Sequence, residues 1–142
     1  MNDQSKINKI VDDLYEVQDE SDIIEPINNF RRRMTIRYLS RLPENGSAET
    51  RELATAITAL ELDIPMSEVS NSDYKRTYEG LSQRDLKKLS MDGIIDRKNK
   101  NVTRGDRFDF YAGVINAIDG FLEECKHDPN MEGTGRTPNH LR

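Results

Sequence analysis

A chain of 142 residues, 33% charged and 35% hydrophobic, has material for one small core with appended helices rather than for two independent domains. No apolar run approaches the roughly 18 residues that span a bilayer, Met1 to Lys9 lacks a signal-peptide apolar region, and the single cysteine, Cys125, excludes an internal disulfide framework; a cytoplasmic location is expected. The net charge of −5 does not exclude a polyanion partner, because +5 over residues 30–42 and +4 over 71–107 stand against −6 over 1–29, −5 over 43–70 and −3 over 108–142.

Ile7, Ile10, Val11, Leu14 and Val17 recur at helical spacing and predict an amphipathic helix from Ser5 to about Gln18. Glu20-Ser21-Asp22 interrupts it, and Pro26 suits the first turn of a short following helix. Asn29 is placed to cap the next helix, Phe30 to Leu42, which stops before Pro43. The turn Pro43-Glu44-Asn45-Gly46-Ser47 leads into a helix with Leu53, Ala54, Ile57 and Leu60 on one face, ending near Leu62. Ile64 to Ser72 is expected to be a loop. A long helix, Asp73 to about Met91, follows, capped by Asn71 or Ser72, with Tyr74, Tyr78, Leu81 and Leu89 on a common face and Gly93 as its stop. Ile94-Ile95 and Val102-Thr103 flank the turn Lys98-Asn99-Lys100-Asn101 as a short hairpin. A final helix spans about Phe108 to Lys126, and the Gly-, Pro- and Asn-rich remainder, 128–142, is expected to be disordered.

Three helices followed by a β-hairpin is the winged helix-turn-helix order. The fold class expected is therefore mainly α with a small β-hairpin. Its parts are an N-terminal amphipathic helix (1–21), a winged helix-turn-helix domain (22–106), a C-terminal dimerisation helix (107–127) and the tail (128–142).

In such folds the second helix of the motif enters the major groove while neighbouring elements hold the DNA backbone. On the long helix, Lys75, Arg76, Gly80, Gln83, Arg84 and Lys87 lie away from the apolar face. Gln83 and Arg84 suit adenine and guanine edges, Lys87 suits phosphate, and Gly80 removes bulk where a duplex would approach. The plainer reading is a solvated helix face. Arg97, Lys98, Lys100 and Arg104 make the hairpin basic, which suits phosphate or the minor groove, or equally protects a strand edge from aggregation. Arg31, Arg32, Arg33, Arg37 and Arg41 are open between phosphate and the acids of neighbouring segments.

The stretch Asn29-Phe30-Arg31-Arg32-Arg33-Met34-Thr35-Ile36-Arg37-Tyr38-Leu39, with Lys75 to Leu81, Leu86, Leu89 and Gly93-Ile94-Ile95-Asp96, resembles a winged-helix domain of unassigned function common in haloarchaea and their viruses. The resemblance spans about residues 22–104. It implies a winged-helix fold and a DNA-binding, regulatory role, and it supplies no catalytic residues. Where family members often carry an aromatic residue after this strand, the chain has Arg97, which makes its hairpin more basic.

In the final helix Tyr111, Ile115, Ile118, Leu122 and Cys125 follow steps of 4, 3, 4 and 3, a coiled-coil seam with Val114 and Phe121 alongside. So small a domain has little core to receive this stripe, which favours pairing between subunits over packing within one. A dimer interface of Tyr111, Val114, Ile115, Ile118, Phe121 and Leu122 is expected. No enzyme, cofactor or metal site is expected: Cys125 and His127 are two ligands where structural zinc normally has four, and Gly133-Thr134-Gly135 is not followed by a helix. The expected function is sequence-specific binding of double-stranded DNA as a homodimeric transcriptional regulator. The competing expectation is a winged-helix protein-interaction module, for instance an anti-repressor, that leaves DNA alone.

Overall fold

Residues 3–128 other than Gln18, together with Asn130, are described by the computed structural model. Most of the expected disordered tail, including Gly133, Gly135 and His140, lies outside them. The first helix, α1 (Asp3–Tyr15), has the amphipathic spacing expected, yet none of its residues is buried. A single turn, α2 (Ser21–Ile24), runs into a 3-10 turn, Glu25–Ile27, where Pro26 sits in the first turn and its missing N–H leaves no gap. The Asn29 side chain accepts from the Arg32 amide (3.2 Å) and starts α3 (Phe30–Ser40). A two-residue strand, β1 (Ala48–Glu49), leads directly into α4 (Thr50–Leu62), which Asp63 closes in the left-handed region at φ 55°. After a 3-10 turn at Met66–Glu68, the next helix, α5 (Asn71–Gly80), is capped by Ser70, whose hydroxyl accepts from the Asp73 amide (3.2 Å). Neither Asn71 nor Ser72 serves as the cap.

The continuous helix expected from Asp73 to Met91 is interrupted by a π turn, Leu81–Asp85, before α6 (Leu86–Met91). Core packing explains it. In an uninterrupted α-helix Leu86 would point about 140° away from Leu81; one extra residue in the turn brings that to about 40°. Leu81, Leu86 and Leu89 are thus all fully buried. Gly93, at φ 75°, then ends the helix.

The hairpin consists of β2 (Ile95–Lys98) and β3 (Asn101–Arg104), paired antiparallel with Arg97 opposite Val102. Its two-residue turn carries Asn99 at φ 57°, a conformation asparagine tolerates better than most residues. β1 adds to the other edge of β3, giving the order β1-β3-β2 with Ala48 opposite Val102. Thr50 fastens this edge by donating from its amide (2.8 Å) and its hydroxyl (3.0 Å) to the Lys100 carbonyl. Two residues carry no periodicity, so β1 is invisible in the sequence.

The core joins Ile36 and Leu39 of α3, Leu53 and Ile57 of α4, the three leucines, Ile94, Ile95 and Val102. The last helix, α7 (Phe108–Lys126), contributes Phe108, Tyr111 and Ile115, each no more than 1% exposed. The stripe expected to pair two subunits is therefore divided. Tyr111 and Ile115 belong to the domain's own core, because α7 lies against α3 and is tied there by Arg37 to Asp119 (3.0 and 2.6 Å). Val114 is half-buried, while Ile118, Phe121 and Leu122 are exposed. Among the described residues no helix is long and apolar enough to cross a membrane.

Arg104 locks the hairpin to α3. Its Nη2 donates to the carbonyls of Leu39 (3.1 Å) and Leu42 (2.9 Å), at the end of α3 and just beyond it, and its guanidinium lies over the Phe108 ring. Arg104→Ala is expected to lower stability by about 2 kcal/mol in urea unfolding, whereas Arg76→Ala, on the surface, changes it by less than about 0.5 kcal/mol.

Candidate nucleic-acid interface

Of the arginines over 30–42, Arg31, Arg33 and Arg37 turn inward, while Arg41 stays exposed. Arg31 binds Glu61 of α4 through two nitrogens, at 2.6 and 3.3 Å. Accepting these bonds, the Glu61 carboxylate pushes the Arg31 pKa above its usual value against the opposing effect of burial. Arg33 donates to the Ile27 carbonyl (2.9 Å), and burial, with Arg37 and Arg32 nearby, lowers its pKa. Arg37 holds Asp119, and Arg41 donates to the Arg37 carbonyl (2.9 Å). The carboxylates engaged come from α4 and α7, not from the acidic first helix. Gly80 belongs to the same arrangement. A Cβ there would stand 2.5 Å from Arg31 Nη1, so alanine at this position would have to move the end of that side chain.

The expected outward face of α5 and α6 is exposed at Lys75, Arg76, Gln83, Arg84 and Lys87. Arg76 is paired loosely with Asp73 (3.6 Å), and the acid Glu79 is exposed on the same helix. Arg84 is held from within: its Nε lies 3.3 Å from the carboxylate of Asp85, a residue the π turn buries completely, while 64% of the arginine side chain stays exposed. Lys75 and Lys87 make no ion pair among the described residues.

The hairpin separates its four basic residues into two kinds. Lys98 and Lys100 are exposed at the tip, again without an ion pair among the described residues. Arg97 is half-buried and donates to the Ser82 carbonyl (3.1 Å), which ties the hairpin to the π turn. Arg104 is withdrawn from the candidate surface, since α3's carbonyls occupy its guanidinium.

Between the hairpin and α5 lies a groove of about 460 Å³, bordered by Asn99, Lys100 and Asn101 at the tip, by Tyr74 and Tyr78 on α5, and by Glu49 and Arg51 where β1 meets α4. A second groove of about 560 Å³ continues past Arg51 and Tyr74 towards Tyr38 and Thr55. Arg51 is 73% exposed, with its Nε on Glu49 (2.6 Å). Nothing in its neighbourhood of the sequence signals it: it is the one basic residue of an acidic segment, and only the pairing of β1 with β3 brings it to the hairpin tip.

Residues 24–103 match the domain of unknown function DUF7344. The chain belongs to the DUF7344 family. The DUF7344 segment runs from the end of α2 to the third residue of β3, and so takes in both basic elements while leaving α1 and α7 outside. No curated protein and no solved structure matches the chain.

The contact between Gly80 and Arg31 is open to a double-mutant cycle within the DUF7344 segment. Gly80→Ala alone has to shift the Nη1 end of Arg31 and is expected to bring less than the full helix-propensity gain. Made in an Arg31→Ala background, the same change is expected to stabilise by about 1 kcal/mol, the helix-propensity difference. Urea unfolding of the four proteins measures the coupling.

Proposed function

We propose that this DUF7344 protein is a winged helix-turn-helix regulator that binds double-stranded DNA sequence-specifically as a homodimer. The order helix, strand, helix, helix, strand, strand over α3 to β3, with the short first strand added to the last, supports a winged-helix reading. In that reading α5, the π turn and α6 form the recognition helix and the hairpin is the wing. Arg97 fixes the one to the other through the Ser82 carbonyl.

The observation that carries the proposal is the exposure of Lys75 and Lys87 on the helix and of Lys98 and Lys100 on the hairpin, none of them in an ion pair among the described residues. Lysines left free of carboxylates on two adjoining elements suit a row of phosphates. Arg84, held upright by Asp85, and Gln83 beside it are assigned to base edges. Lys87, Lys98, Lys100 and Arg51 are assigned to the backbone, Arg51 at the start of α4 beside the hairpin tip. The exposed part of α7 is assigned to the dimer. A two-fold pair would read half-sites about 34–36 Å apart, or a multiple of that spacing. A cytoplasmic location goes with this role, and no catalytic step does.

The test is fluorescence anisotropy on duplexes from the region upstream of the protein's own coding sequence and on scrambled duplexes, over a range of salt concentrations. Arg84→Ala is expected to narrow the difference between the two duplexes by about 1–3 kcal/mol. Lys98→Ala is expected to weaken both equally and to reduce the slope of log K against log salt by about 1. If both variants bind as wild type does, the assignment fails. The competing anti-repressor reading gains if wild type shows no salt-dependent DNA binding at all.

A further inference from the structure

Two apolar stripes are left largely open in the described chain, Val114 alone among their members packing against the core. On α1 and just beyond it, Ile7, Ile10, Leu14 and Val17 follow steps of 3, 4 and 3, and all are about half exposed or more, up to 63% at Val17. On α7, Phe110, Val114, Ala117 and Phe121 follow steps of 4, 3 and 4 on a face rotated roughly 100° from the buried Tyr111 and Ile115. Phe110 and Phe121 are 51% and 63% exposed, and Ile118 borders them at 39%. The margin of this face is open as well, for a Cβ on Gly113 or Gly120 would meet nothing within 4 Å.

We propose that a second copy of this chain covers both stripes, with α1 of each protomer lying on the exposed face of α7 of the other. The inference rests on the homodimer proposed above and specifies its interface. Heptad spacing on both helices suits helix-on-helix packing with a/d-type side chains interdigitated. Area calls for both stripes together. The open apolar surface of the two is on the order of 700 Å² per protomer, near the ~800 Å² that each partner of a stable interface buries, and neither stripe reaches that alone.

Charge favours α1 against α7 over α7 against itself. Asp109 and Glu124 of α7 have no ion pair among the described residues, so an α7–α7 seam sets like charges together. α1 carries Lys6 and Lys9 against Asp3, Asp12 and Asp13, a net −1, so it repels α7 less than a second α7, at a net −3, would. Exchange between copies also gives each protomer the same two complementary patches, as two-fold symmetry requires.

Sedimentation equilibrium on the full chain tests this without DNA. Wild type is expected to be a dimer. Ile10→Asp and Phe121→Asp, both at exposed positions, are each expected to weaken dimerisation by roughly 30-fold or more. An equimolar mixture of the two variants is expected to associate more tightly than either variant alone, because the mixed pair keeps one contact made from an intact α1 and an intact α7. Should either aspartate variant lose its helical circular dichroism, Ile10→Ser and Phe121→Ser serve in its place. A monomeric wild type would overturn the homodimer reading itself. A dimeric wild type with unaffected variants, or with a mixture that associates no more tightly than either variant alone, would overturn the exchange of α1 and α7 and leave the homodimer standing.

Discussion

Leu81, Leu86 and Leu89 must all face one core, and an α-helix cannot place residues five apart in the chain on one side. The π turn between Leu81 and Asp85 resolves that conflict by adding one residue to a single turn. Its consequences reach the surface. The turn carries Asp85 into the interior, sets Arg84 above it in the open, and presents the Ser82 carbonyl to Arg97 of the hairpin. The two basic elements are thus held to each other by a feature whose origin is hydrophobic.

Arginine and lysine divide the work of the positive charge. Arg31, Arg33, Arg37 and Arg104 reach carboxylates or backbone carbonyls inside the structure, several of them through more than one bond. A planar, weakly hydrated guanidinium with donors on two sides suits that role. Lys75, Lys87, Lys98 and Lys100 stay in water, where a compact, strongly hydrated ammonium is best placed. Lys88 and Lys126 are the exceptions: Lys126 pairs with Glu123 at 3.2 Å, and Lys88 is drawn to Glu25 at 2.8 Å, a bond that raises its pKa above the ordinary lysine value. The arginine-rich block over 30–42 therefore secures α3 to α4 and α7, and the face proposed for DNA owes its charge chiefly to lysines and to Arg84.

α7 is apolar on two sides. Its first turns complete the domain through Phe108, Tyr111 and Ile115, and its other side leaves Phe110 and Phe121 open. A helix apolar around most of its circumference reads as one seam when the spacing is followed along a single line of residues. Both the line through Tyr111 and Ile115 and the line through Phe110 and Phe121 satisfy heptad steps. Spacing alone does not choose between them.

Helix positions, the Asn29 cap, the Gly93 stop and the hairpin around Asn99 are set by local chemistry: apolar period, side chains that bond nearby amides, and residues that tolerate positive φ. Such features act within a few residues and are legible in the chain itself, as is the basic character of the long helix and the hairpin. Everything that depended on a distant partner was decided only by the tertiary structure. β1 exists because β3 offers it an edge, Gly80 meets the tip of Arg31 because that side chain arrives from α3, and Arg104 leaves the surface because α3 ends beside it. The orientation of α7 followed from where α3 had room for it. A side chain's local spacing limits where it can point, but the groups that meet it there are brought by other parts of the fold.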